Sequence, residues 1–204
     1  MTSGEGSSDA VLLEKDVETI IREGTPAHLY ENKRVLVLTP DATRTCPLPM
    51  MVQAIRKTIG ERCDRLDFMV ALGTHTPLPP ESILALYGIT RPQRDFPRSA
   101  FFNHEWDRPD TFRCIGTLAP AEVEAISGGL VSERVPIEIN RRIFDYDLVL
   151  IAGPVFPHEV VGYSGGAKYL FPGISGGDFL HFFHWLGAVI TSSETLYDAQ
   201  RARI

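Results

Sequence analysis

The segment at residues 157–168 of this 204-residue chain, P-H-E-V-V-G-Y-S-G-G-A-K, gathers an imidazole (His158), a glycine pair (Gly165, Gly166) and an amine (Lys168). A histidine can serve as base or metal ligand, and a lysine as nucleophile or anion partner. Paired glycines let the main chain approach a ligand or turn through positive φ. Two further groups carry chemistry: D-A-T-R at 41–44, and G-T-H-T-P at 73–77 with His75. His181 and His184 follow, three residues apart, on an apolar stretch.

Each group alone has a plain structural explanation. Asp41 and Thr43 could cap a helix opening near Pro47, with Arg44 a surface charge. His75 could be a satisfied turn histidine, and the glycine pair a tight turn. The sequence speaks against some familiar sites. A phosphate-cradling P-loop needs glycine before its lysine and serine or threonine after it, whereas Lys168 lies between Ala167 and Tyr169. A His-ligated zinc hydrolase finds no H-E-x-x-H spacing.

The elements that must position these groups follow from the apolar pattern. Residues 34–40, 66–72 and 147–152 read as buried strands, each a short run rich in Val, Leu, Ile and Phe. Residues 47–59 carry Met51, Ile55 and Ile59 at helical spacing, with proline in the opening turn and Gly60 at the end. Residues 80–87 predict a short helix closed by Gly88. Residues 90–110 have no clear period and are expected to be irregular, with one short element near 101–104. Residues 112–118 and 134–139 predict two more strands flanking a Ser127-Gly128-Gly129 turn. Residues 179–190 predict a helix, apolar on nearly every side and therefore buried. Strand–helix alternation implies an α/β fold with a parallel sheet and right-handed crossovers. In such a sheet ligands bind beyond the carboxyl ends of the strands. All three polar groups follow predicted strands, so residues 41–44, 73–77 and 157–158 are expected along one edge.

Composition bounds the function. A net charge of −6 lacks the basic footprint of a nucleic-acid binder. No apolar stretch reaches the ~18 residues that span a bilayer. The N-terminus has no signal-peptide pattern, and residues 1–10 are expected to be a disordered leader before a domain at 11–204. Cys46, Cys63 and Cys114 are irregularly spaced and odd in number, which predicts free thiols in a cytoplasmic protein. A homo-oligomer is compatible with all of this.

Together the strings D-A-T-R (41–44), G-T-H-T-P (73–77), P-H-E-V-V-G-Y-S-G-G-A-K (157–168) and H-W (184–185) resemble the N-terminal domain of the lactate racemase family. These are the enzymes of the nickel-pincer nucleotide, a pyridinium-3-thioamide-5-thiocarboxylic acid mononucleotide. The long string is the specific part of the match. The resemblance implies a Rossmann-like parallel sheet flanked by helices. It implies that Lys168 tethers the cofactor, with Ser164, Gly165 and Gly166 beside it, and that His184 ligates nickel, His181 being the nearby competitor. It further implies His75 and His158 as catalytic bases, Arg44 as the partner of the substrate carboxylate, and Asp41 as its support. Members carry a second, closing domain, which is expected to be absent from this chain.

That chemistry suits the residues. The α-hydrogen of a hydroxy acid is a poor acid, because the adjacent carboxylate is already negative. Removing it as hydride avoids a carbanion, provided a base takes the hydroxyl proton and the cofactor accepts the hydride. Racemisation needs a base for either enantiomer, hence two imidazoles. Arginine can grip the carboxylate with two parallel hydrogen bonds. The expected function is α-hydroxy acid racemisation or epimerisation; the alternative is a cofactor- or nucleotide-binding module without turnover.

Overall fold

The computed structural model describes residues 3–9, 11–158 and 162–192. The chain divides into two units: Met1–Ala71, Pro77–Asn103 and Arg142–Pro154 form the first, and Leu72–Thr76, His104–Arg141 and Val155–Ile204 the second.

The first unit is built on a parallel sheet. Strand β1 (Arg34–Thr39) pairs on one side with β2 (Arg65–Val70) and on the other with β6 (Leu148–Ile151), and β2 pairs with β3 (Phe101–Asn103). The order β3-β2-β1-β6 reverses direction beside β1, creating a switch point at the carboxyl ends of β1 and β6. Val35 to Leu38 and Phe68 to Val70 are fully buried, as expected of strands covered on both faces. Around Phe68 the rings of Tyr87, Phe96 and Phe101 lie with centroids at 5.6, 6.0 and 5.7 Å. Such contacts add to simple area burial. Buried polar groups are paired. Asp67, in the middle of this apolar strand, accepts from Tyr146 Oη–H at 2.6 Å, the Ala100 amide at 2.6 Å and Arg65 Nε at 2.5 Å. Burial and this carboxylate push the Tyr146 hydroxyl pKa upward. Thr39 and Tyr87 share a hydroxyl hydrogen bond of 2.8 Å.

Helix α1 (Glu14–Gly24), absent from the sequence expectations, precedes β1; Val17, Ile20 and Ile21 give it an apolar face. Helix α2 (Leu48–Ile55) continues as one widened turn over Arg56–Gly60, so the predicted helix ends at its predicted glycine. Helix α3 (Pro80–Leu86) closes at Gly88, where φ is +66° and an added Cβ would stand 2.8 Å from Pro49 Cβ. A short α4 (Pro92–Asp95) lies inside the stretch expected to be irregular.

In the second unit β4 (Phe112–Leu118) and β5 (Val135–Asn140) pair antiparallel. The turn at Ser127 exists, but an unpredicted helix, α5 (Pro120–Ile126), precedes it. Glu122 reaches back to the Ala119 amide at 2.7 Å, satisfying one donor at the helix start. A small hairpin, β7 (Phe156–His158) with β8 (Gly162–Ser164), precedes a 3-10 turn at Gly166–Tyr169 and helix α6 (Gly177–Ser192). Helix α6 departs from expectation: Leu180 and Ile190 are buried, yet His181, His184 and Trp185 are exposed. An almost uniformly apolar helix has no polar face to orient it, so its sequence could not say which side meets solvent.

Candidate functional site

Residues 41–44 leave β1 at its carboxyl end. The Asp41 side chain, only 8% exposed, accepts from the Thr43 amide at 3.1 Å and from the Thr43 hydroxyl at 2.5 Å. Arg44 in turn donates to Thr43 Oγ1 at 3.3 Å. The aspartate therefore braces a turn that orients the arginine, while Arg44 itself is exposed. It does not cap α2, whose start has no side-chain cap.

Residues 72–76 belong to the second unit and carry His75 in a tight turn, its amide donating to the Leu72 carbonyl at 2.9 Å. The His75 side chain is exposed. Three contacts fix the turn. Gly73 donates to the Gly173 carbonyl at 2.8 Å, and Trp106 Nε1–H donates to the His75 carbonyl at 2.9 Å. Gly73 itself has φ +58°, and an added Cβ would meet Leu180 Cδ1 of α6 at 3.2 Å.

The same loop reaches Lys168. The Gly173 amide donates to the Lys168 carbonyl at 2.9 Å, and an added Cβ at Gly173 would stand 2.5 Å from the Tyr169 carbonyl oxygen. Lys168 is half-buried, two residues after the pair Gly165 (φ +91°) and Gly166 (φ +53°), and Ser164 is buried at the end of β8. Gly166 has open space where a Cβ would stand. His158 lies opposite Gly162 in the β7–β8 hairpin. The second unit thus links the His75 turn, the Lys168 turn and the root of α6, which bears His181 and His184. Arg44 and Asp41 stand on the first unit.

Beneath these loops His104 is fully buried. Its Nε2 meets the Ser175 carbonyl at 3.0 Å and its Nδ1 meets Asn140 Nδ2 at 3.1 Å. A carbonyl only accepts, so the proton resides on Nε2 and Nδ1 accepts from Asn140. Burial holds its pKa down to about 4, so the ring is neutral at pH 7. His104 and Trp106 were not singled out in the sequence. Their only signal was a histidine and a tryptophan in a stretch without periodicity.

Among the described residues no group of three or more His, Cys, Asp or Glu could hold a metal ion, and no helix is long and apolar enough to cross a membrane. Cys46, Cys63 and Cys114 are free thiols.

A parallel sheet with a switch point, flanked by helices, defines an α/β domain of the Rossmann-like class. Residues 8–196 match the family described as the lactate racemase N-terminal domain, and the chain belongs to that family. Lactate racemase of Thermoanaerobacterium thermosaccharolyticum is 28% identical over 147 residues, covering 70% of this chain and 30% of that protein. A structural-genomics target from Thermotoga maritima superposes with a TM-score of 0.75 at 31% identity, over 86% of this chain and 41% of its own. The lactate racemase apoprotein of T. thermosaccharolyticum gives 0.61 at 24% identity, over 82% of this chain and 38% of its own, which speaks to the fold. The chain spans 30% of the length of its curated relative.

Proposed function

We propose that this chain is the cofactor-carrying part of an α-hydroxy acid racemase or epimerase, with a nickel-pincer nucleotide tethered to Lys168 and its nickel on His184. The donor set suits that group. His184, exposed on α6, would offer an imidazole nitrogen to the metal, and Lys168 an amine to the tether. The open space at Gly166 and the positive φ of both glycines suit close approach of a nucleotide to the main chain. When bound, the group supplies the electrophilic carbon that takes up the substrate's α-hydrogen.

The chain's own residues do the rest. Arg44, braced through Thr43 by Asp41, holds the substrate carboxylate. His75 and His158 are the two bases: one takes the hydroxyl proton from one enantiomer, and the other, in its protonated form, gives a proton to the hydroxyl of the opposite enantiomer as it forms. General-base assistance of this kind is commonly worth ~10²–10⁴-fold. The observation that carries the reading is the relay Gly73–Gly173–Lys168, because it ties the proposed base turn to the proposed tether by two main-chain hydrogen bonds.

Intact mass spectrometry after co-production with the cofactor-making enzymes tests the tether. A nickel-containing adduct, lost in Lys168→Ala, is expected; its absence overturns the reading. In the whole enzyme His75→Ala and His158→Ala should keep the adduct and lose racemisation, and retained turnover would refute the two-base scheme. The exposure of Arg44, His75 and His184 favours one second reading for the chain by itself, cofactor binding without turnover, since water is not excluded from them. An adduct on a chain that does not racemise lactate would establish it. Lactate is the substrate named for the relative; a panel of hydroxy acids and sugar acids would identify the one used here.

A further inference from the structure

At the amino-terminal end of β2, away from the carboxyl-end loops, the first unit has a cavity of about 200 Å³ lined by Arg56, Arg65, Arg94 and Arg98, with Glu61 and Asp95 at its wall. Four guanidiniums against two carboxylates make this a basic locus on a chain whose net charge is −6. The partners of the arginines differ. Arg65 is paired with buried Asp67 at 2.5 Å, and Arg94 approaches Asp95 at 3.8 Å. Arg56 and Arg98 donate instead to main-chain carbonyls, Arg56 Nε to Asp95 and Arg98 Nη2 to Gly60 at 3.3 Å. Arg56 also lies over the Phe96 ring, 5.5 Å from its centroid. A carbonyl orients a guanidinium without cancelling its charge. Among the described residues neither Arg56 nor Arg98 has a carboxylate within salt-bridge distance, so part-buried Arg56 and exposed Arg98 both present charge to one cavity, where an anion can replace their water.

We propose that this cavity binds a phosphoryl anion, the phosphate or diphosphate end of a small molecule. A carboxylate satisfies a single arginine fork, whereas several guanidiniums converging on one cavity need a ligand with three or more anionic oxygens. Arg56, held by the Asp95 carbonyl and the Phe96 ring, provides the fixed part of the grip, and Arg98 adds a second guanidinium from the exposed side. Arg94, 72% exposed and loosely paired, closes from solvent. Glu61 opposes binding and sets its limit. The site is independent of the proposed tether at Lys168 and shares no residue with it.

The test is a titration of the isotope-labelled chain with inorganic pyrophosphate, then inorganic phosphate, at low ionic strength, followed by amide NMR. Pyrophosphate should give saturable amide shifts at Gly60, Glu61, Arg65, Phe96, Arg98 and Ser99, with phosphate weaker. Arg98→Gln, which gives up only one exposed hydrogen bond to a carbonyl, should weaken pyrophosphate about tenfold. Arg56→Gln should do the same, with circular dichroism confirming the fold. Glu61→Gln should tighten binding. The proposal is overturned by shifts that do not saturate, by an equal response to chloride at matched ionic strength, or by an affinity unchanged in Arg98→Gln. None of these results depends on cofactor loading or racemisation, so the racemase reading stands or falls separately.

Discussion

The two units bury different things. In the first, the interior is apolar side chains on a parallel sheet, and its most deeply buried carboxylate, Asp67, is answered by three donors. In the second, the deepest side chains include His104, Asn140, Ser127 and Ser175, all polar and nearly inaccessible. Hydrophobic burial is non-directional, so it makes a stable platform without specifying where a loop sits. A hydrogen-bonded buried network fixes loops in one arrangement, and every member must be paired for it to hold. The unit whose loops carry His75, His158, Lys168 and His184 is the one built around such a network.

The contrast can be broken at several points. The largest effect is expected at Phe68→Ala, which empties the centre of the aromatic cluster and should cost about 3–5 kcal/mol in urea denaturation. A cost below 1 kcal/mol would mean that the sheet unit does not rest on its apolar core. Next comes acid. His104 is held at about 4 when folded against an ordinary 6.5, so the unfolded chain binds the extra proton first. Its stabilising contribution is complete above pH 6.5 and is lost as pH falls from 6.5 towards 4, a change of about 3 kcal/mol. His104→Gln should flatten that part of the stability–pH curve; an unaltered curve would remove the histidine from the network. Trp106→Phe deletes one donor to the His75 carbonyl near the surface and should cost about 1 kcal/mol. Amide exchange should quicken at residues 73–76 alone, whereas a uniform change would show the bond to be incidental. The smallest effect belongs to Asp147, whose carboxyl the Arg34 guanidinium holds down at about 2 on an exposed edge. Asp147→Asn should leave the urea midpoint nearly unchanged, and Arg34→Gln should return the Asp147 titration to the usual carboxylate range.

The same contrast explains what could be read from the sequence. Strands β1, β2 and β6 are continuous β-branched and aliphatic runs, and a doubly covered parallel strand must look like that. Their carboxyl-end groups were legible for the same reason, since a strand that is found locates the loop after it. Helix α1 was missed although Val17, Ile20 and Ile21 have helical spacing; its single turn of apolar residues is diluted by charge. Helix α5 was hidden because seven residues between two strands give too few turns for a period to show. The β7–β8 hairpin was hidden because strands of three residues each are too short for alternation to show. His104 and Trp106 depend on partners distant in sequence, Ser175 and Asn140 for one and His75 for the other. No local pattern encodes such pairings.

Gly173 lies between two carbonyls that any side chain would strike, and the obstacle is main-chain oxygen that cannot rotate aside. In a saturation library, position 173 should therefore accept glycine alone whatever substrate is used for selection. Position 166, with open space around it and a left-handed φ that asparagine tolerates, should be more permissive under selection for folding alone. Comparing the two positions would separate the demands of architecture from those of the bound ligand without an assay of turnover.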